Sequence, residues 1–325
     1  MLCAEPERRN SVGARSVQPK IVPRNMTGPR DASRPLTHIN TASFAWWMMK
    51  RGTGEGASAM MSFANKVIVI TGASEGIGAE LARQLASEKP KLVLAARRLE
   101  ALQAVVVQCE AAGAEAIAVR CDVGVEADCK ALADSAVARF GRIDILINNA
   151  GITGHGRLED VSDFRWYEAL MRVNYMGSVW CTRYALAELK RSKGLVVGIP
   201  GYTAKVGMPE RTALTASKSA QAGFLEALRS ELAGTGVDVT VVFPTVVATD
   251  IRRHGYGADG KLGGKIGLKE EGAMPVDGCA RRIIEAMRGR KRELLMNARA
   301  KIVPWLKLFA PKMVESMARA YLKKD

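Results

Sequence analysis

Three glycines in the stretch Thr71-Gly72-Ala73-Ser74-Glu75-Gly76-Ile77-Gly78 stand at a spacing, G-x-x-x-G-x-G, that suits a phosphate ligand. Residues without a Cβ permit a tight turn, close approach of backbone to a pyrophosphate, and close packing of a helix on a strand. A helix starting near the second glycine also presents free N–H groups to an anion. The stretch reads as a dinucleotide-binding turn built from Gly72, Ser74, Glu75, Gly76, Ile77 and Gly78. The alternative, a glycine-rich connection with no ligand, is weighed by what flanks it.

The flanks are a strand and a helix. Residues 66–70 are Lys-Val-Ile-Val-Ile, a β-branched run suited to a strand buried on both faces of a parallel sheet. Beyond the turn, Ala79, Leu81, Ala82 and Leu85 carry a helical apolar face. A second strand, 91–96, ends in Arg97-Arg98. An acidic residue at that strand end would bind the adenosine ribose hydroxyl, whereas arginine accommodates a 2′-phosphate, so the pair favours NADP(H) over NAD(H). Two surface arginines opening a helix are the alternative.

The remaining elements must hold this site in place. A helix over 99–112, a strand over 115–120 running into Cys121-Asp122-Val123, a helix over 126–140 and an apolar strand over 143–147 follow in turn. Regular βα alternation predicts an α/β fold, a doubly wound parallel sheet of Rossmann type in a single domain. A helix over 276–289 and a last strand over 293–296 complete it. Residues 61–300 make the expected domain, 301–325 a basic amphipathic C-terminal helix, and 1–60 a disordered basic leader.

Composition narrows the function classes. The 325 residues are 48% hydrophobic with a formal net charge of +15, but the charge sits at the ends. Residues 1–60 hold nine Lys and Arg against four Asp and Glu, 61–278 hold 26 against 25, and 279–325 hold thirteen against four. A nucleic-acid protein carries its positive charge on the recognition domain, so a neutral core excludes that partner. Six scattered cysteines, with no C-x-x-C pair and no His at ligand spacing, imply reduced thiols, no metal, and a cytoplasmic or other reducing compartment. Arg and Ser in residues 1–60 leave organelle import by a transit peptide as the alternative.

Over about residues 65–300 the chain resembles the short-chain dehydrogenase/reductase family. The residues that carry the resemblance are TGASEGIG at 71–78, AARR at 95–98, CDV at 121–123, NNAG at 148–151, VNYMGS at 173–178, TASKSA at 215–220 and FPTVVATDI at 243–251. The resemblance implies a carbonyl/alcohol oxidoreductase acting on a small molecule, in the branch that takes steroids and other lipophilic carbonyls, and a homo-oligomer. It also implies cofactor contacts from Asp122, Val123, Asn149, Ala150, Gly151, Lys218, Pro244 and Thr245.

The family's chemistry rests on Asn, Ser, Tyr and Lys, and the chain departs from that set. Asn174 and Lys218 match, but Gly201 stands where the serine belongs and Leu214 where the tyrosine belongs. Tyrosine supplies the proton to the alkoxide left by hydride transfer, and serine polarises the carbonyl oxygen. Glycine and leucine do neither. The expectation is an oxidoreductase of doubtful turnover, and the alternative a cofactor-binding pseudoenzyme that senses NADP(H) or acts as a scaffold. Tyr202 and Thr215, one residue from the vacated positions, are the candidate substitute acids. Thr245, where the family has glycine, is expected to crowd the nicotinamide pocket.

Two further stretches could touch ligands. The glycine-rich 252–272 reads as a mobile loop that covers substrate. The tail carries Val303, Trp305, Leu306, Leu308 and Phe309 among lysines, a pattern suited to an anionic membrane surface or to packing on the protein itself.

Overall fold

Alternating side chains in the central strands send two apolar layers in opposite directions. In β1 (Val67–Thr71), Ile68 and Ile70 pack with Leu81, Leu85, Leu102, Ile283 and Met287 on one side. Val67 and Val69 pack with Leu132, Ala136, Cys181, Leu189 and Leu225 on the other. Both faces of such a strand are buried, as a parallel sheet with helices on each side demands.

A computed structural model of the chain describes residues 60–263 and 272–320. They belong to one compact unit, Ser58–Asp325. Seven parallel strands run in the order β3-β2-β1-β4-β5-β6-β7, with β2 Lys91–Ala96, β3 Glu115–Arg120, β4 Ile145–Asn148, β5 Leu195–Gly198, β6 Asp238–Phe243 and β7 Glu293–Leu295. Helices α1 (Gly76–Ala86), α2 (Leu99–Ala111) and α7 (Val276–Arg288) cover the first face. Helices α3 (Glu126–Phe140), α5 (Gly177–Ser192) and α6 (Thr212–Glu231) cover the second. The expected doubly wound α/β sheet is the one found. β1 pairs with β2 on one side and β4 on the other, Ile70 standing opposite Leu94 and Ile147. That is the switch point where strand order reverses and a crevice opens at the carboxyl ends.

A short helix α4 (Arg165–Leu170) passes through a π turn, Met171–Met176, before α5 begins. The C-terminal region differs from the single helix expected over 301–325. It forms α8 (Ala298–Phe309) and α9 (Pro311–Ala320). Pro311 starts the second helix because a missing N–H costs nothing at a first helical position. The expected leader, apart from residue 60, lies outside the described residues, as do 264–271 of the glycine-rich loop and the last five residues. Among the described residues no helix is long and apolar enough to cross a membrane, no acidic, His or Cys cluster could hold a metal, and the five described cysteines are unbridged and buried.

Candidate active site

The site forms where the chain leaves the strands. After β1, Gly72 (φ +65°) and Gly76 (φ +56°) take left-handed conformations that other residues adopt at a cost. Gly78 has another reason: a Cβ there would lie 2.3 Å from the Gly72 carbonyl oxygen and 2.5 Å from Asn149 Nδ2. The turn is folded onto α1 as tightly as a glycine permits, and the helix begins without a side-chain cap, its first N–H groups left for a ligand. These features fit a pyrophosphate.

Asn149 clamps the same turn. Its Nδ2 donates to the Thr71 carbonyl at 2.9 Å and the Gly72 carbonyl at 3.1 Å. Thr71 Oγ1 in turn accepts from the Asn149 and Ala150 N–H groups, each at 3.1 Å. Asn149 therefore lines the cleft while its amide donors hold protein backbone.

A cleft of about 760 Å³ runs across the carboxyl ends of six strands. Gly72, Ser74, Glu75, Gly76 and Ile77 line it after β1, Arg97 and Arg98 after β2, and Cys121, Asp122 and Val123 after β3. Asn149, Ala150 and Gly151 follow β4, Gly201 and Tyr202 follow β5, and Pro244 and Thr245 follow β6, with Leu214 and Lys218 entering from α6. Of the cofactor-binding and catalytic positions expected from the sequence, Gly78 and Asn174 stand off the wall. Gly78 is packed beneath the turn, and Asn174 is fully buried.

Asn174 sits in the π turn, where the extra residue rotates its side chain inward. Its Oδ1 accepts from the Ile152 N–H at 2.8 Å, and its Nδ2 donates to the Ile152 carbonyl and to Ser217 Oγ, each at 3.0 Å. It thereby ties the segment after β4 to α6. Lys218 follows Ser217, and its Nζ donates to the Ile199 carbonyl at 3.3 Å and Gln221 Oε1 at 3.5 Å. Burial pulls the Lys218 ammonium down to about 8. Gly151 makes room for both side chains, since a Cβ there would be 3.0 Å from Lys218 Nζ and 3.1 Å from Asn174 Oδ1.

Gly201 and Leu214, the positions expected to lack the family's serine and tyrosine, face the cleft. Gly201 has φ +85° and ψ 165°, a conformation almost confined to glycine, and among the described residues nothing is nearer to a new Cβ than the Pro244 carbonyl at 3.9 Å. Leu214 lies one helical turn before Lys218. Tyr202 also lines the cleft, but its hydroxyl donates to the Ala300 carbonyl at 3.4 Å, and burial raises its pKa. Thr215 is off the wall, its hydroxyl buried without a hydrogen-bond partner among the described residues.

Residues distant in sequence complete the wall. Arg211, only 5% exposed, donates to Thr153 Oγ1 at 3.3 Å and lines the cleft beside Met208. The C-terminal helices add Ala300, Val303, Val314 and Ala318. No local pattern marks these positions. The one usable signal is Asn297, which caps α8 by accepting from the Ala300 N–H at 2.8 Å.

Residues 66–256 match the family model described as short chain dehydrogenase. The chain belongs to this family. Among similar short-chain dehydrogenases, 11-beta-hydroxysteroid dehydrogenase A of Sesamum indicum is 35% identical over 263 residues, spanning 79% of this chain and 75% of that protein. The 11-beta-hydroxysteroid dehydrogenase 1A of Arabidopsis thaliana is 32% identical over 257 residues, spanning 77% and 73%. Among solved structures, a short-chain dehydrogenase/reductase from Burkholderia phymatum in complex with NAD superposes with a TM-score of 0.69 at 28% identity, over 78% of this chain and 96% of that one. An archaeal alcohol dehydrogenase from Thermococcus sibiricus, complexed with 5-hydroxy-NADP, gives 0.61 at 26% identity, over 71% and 95%.

Proposed function

We propose that this short-chain dehydrogenase binds NADP(H) in preference to NAD(H) and acts on a lipophilic carbonyl/alcohol pair, with turnover limited by Gly201 and Leu214. The observation that carries the cofactor preference is the pair Arg97 and Arg98 on the cleft wall after β2, with no acidic residue at that strand end. Gly72, Gly76 and the N-terminus of α1 would hold the pyrophosphate, and Asp122, Val123 and Asn149 to Gly151 the adenosine and ribose side. When bound, the dinucleotide supplies or takes the hydride. Lys218 would hold the nicotinamide ribose, and Asn174 keeps Ile152 and α6 in register beside it.

A lipophilic substrate is supported by the apolar side chains on the cleft wall, Val206, Met208, Leu214, Val303 and Met317 among them. Several relatives named as hydroxysteroid dehydrogenases point the same way. A second reading, a cofactor-binding pseudoenzyme, is favoured by Leu214 on the wall where a proton donor is needed. Loss of a general acid removes about 10²- to 10⁴-fold in rate. Self-association and contact of α8 and α9 with an anionic membrane belong to the same proposal. Trp305 and Phe309 on α8 are 68% and 83% exposed beside Lys301 and Lys307, which supports a surface meant to be covered.

Calorimetric titration with NADPH and NADH tests the cofactor reading. Equal or tighter binding of NADH ends the preference, and binding of neither ends the site. NADPH consumption against a panel of ketones and quinones then separates enzyme from pseudoenzyme.

A further inference from the structure

We propose that Glu75 and the 2′-phosphate of NADP(H) compete for the Arg98 guanidinium, so that Glu75 sets how strongly the site discriminates between the two cofactors. The inference rests on the NADP(H) reading above and adds a residue that works against it. Arg98 Nη2 lies 2.5 Å from Glu75 Oε2, and both residues are on the cleft wall. Arg97, exposed beside them, makes no ion pair among the described residues, so one of the two guanidinium groups is held and the other is not.

Glu75 immediately precedes α1. Its carboxylate is therefore carried at the positive end of a helix dipole, next to a cation, in surroundings that suit a phosphate. It makes no capping bond to the helix, which leaves Arg98 as its near partner. The two side chains are 54% and 44% exposed, so solvent screens the pair and a multiply charged phosphate can displace it. His254 Nδ1 is 3.9 Å from the other carboxylate oxygen, which gives Glu75 a second basic neighbour once it leaves Arg98.

Two effects of Glu75 then act in one direction. NADP(H) must break the ion pair and place a phosphate near a carboxylate, whereas NAD(H) does neither. Removing the charge relieves both, and the scale is that of a partly exposed ion pair, about 5-fold in affinity.

The test titrates NADPH, NADH, 2′,5′-ADP and 5′-ADP into the full chain and into Glu75→Gln, Arg98→Met and the double variant, with Glu75→Ser as a second neutral replacement. Expected is a roughly 5-fold tightening of NADPH and 2′,5′-ADP by Glu75→Gln, with NADH and 5′-ADP unchanged within about twofold. On the Arg98→Met background the gain should vanish. The proposal is overturned if both cofactors tighten alike, if neither moves, or if the gain survives without Arg98. If the wild type prefers NADPH and Glu75→Gln changes nothing, only this inference fails. If the wild type favours NADH and Glu75→Gln moves the ratio toward NADPH, the competition stands and the preference reading fails.

Discussion

The Tyr202 hydroxyl donates to the carbonyl of Ala300 at 3.4 Å, and that carbonyl is the one Pro304 leaves without a helical donor. In an uninterrupted helix the N–H four residues on would bond it, but proline has none. Tyr202, which follows Gly201, is thus engaged in docking α8 over the cleft. Tyr202→Phe should cost about 0.5–1.5 kcal/mol, the net worth of one such bond, and speed hydrogen exchange in α8 and α9. Pro304→Ala restores a donor, so the tyrosine's contribution should shrink in that background, and a double-mutant cycle reads the coupling. Abolished NADPH turnover with unchanged exchange would instead make Tyr202 the proton donor.

Lys218 gives the fold a pH dependence with a defined sign. Its pKa is about 8 in the folded chain against an ordinary value of 10.5, so between these limits the unfolded chain binds the proton more fully. Stability contributed by this group therefore rises with pH across that window, by up to ~1.4 kcal/mol per unit, and below it the buried ammonium is a standing penalty. Urea unfolding of the wild type and Lys218→Met at several pH values checks this. The variant should be the more stable near neutrality, and its curve should lack the rise. Parallel curves for the two proteins would remove Lys218 as the cause.

Rebuilding the proposed reaction chemistry is unequal at Gly201 and Leu214. Leu214 is a helical residue on the cleft wall one turn from Lys218, so Leu214→Tyr adds a hydroxyl where the proposed reaction calls for an acid. A rise of at least ~10²-fold in NADPH-dependent carbonyl reduction is expected. Gly201→Ser has space but the wrong backbone: φ +85° and ψ 165° should cost a serine about 1–3 kcal/mol unless the turn relaxes. The double variant should therefore unfold at lower temperature than Leu214→Tyr alone. A Leu214→Tyr protein that folds, binds NADPH and matches the wild type on every ketone would shift suspicion to Thr245, which also lines the cleft.

The glycine turn and the strand ends were legible because each depends on neighbours in the chain. Gly72, Gly76 and Gly78 sit between an apolar strand and an apolar helix, and Arg97 and Arg98 follow a strand whose limits match the periodicity. Asn174 was legible as a residue, but not its burial, which comes from a π turn that no spacing announces. Tyr202 with Ala300 and Glu75 with Arg98 are pairs separated by 98 and 23 residues, brought together only when strands align. The tail divided into two helices at a proline that its amphipathic pattern overran.

Those two helices carry the last prediction. Their inner face lines the cleft through Ala300, Val303, Val314 and Ala318, while Ile302, Trp305, Leu308, Phe309 and Met313 stand exposed on the outside. Lys301, Lys307 and Lys312 lie on the same helices and are exposed, and each basic residue near an anionic bilayer contributes about 1 kcal/mol. The protein should sediment with phosphatidylserine-rich vesicles, less with phosphatidylcholine alone, and less at high salt. Trp305→Asp with Phe309→Asp should abolish sedimentation and leave NADPH affinity unchanged, because neither side chain is on the cleft wall. Equal binding to neutral vesicles would remove the electrostatic part of the argument. No binding to either, with the double variant falling from a larger species to a monomer on gel filtration, would identify the outer face as a contact between subunits.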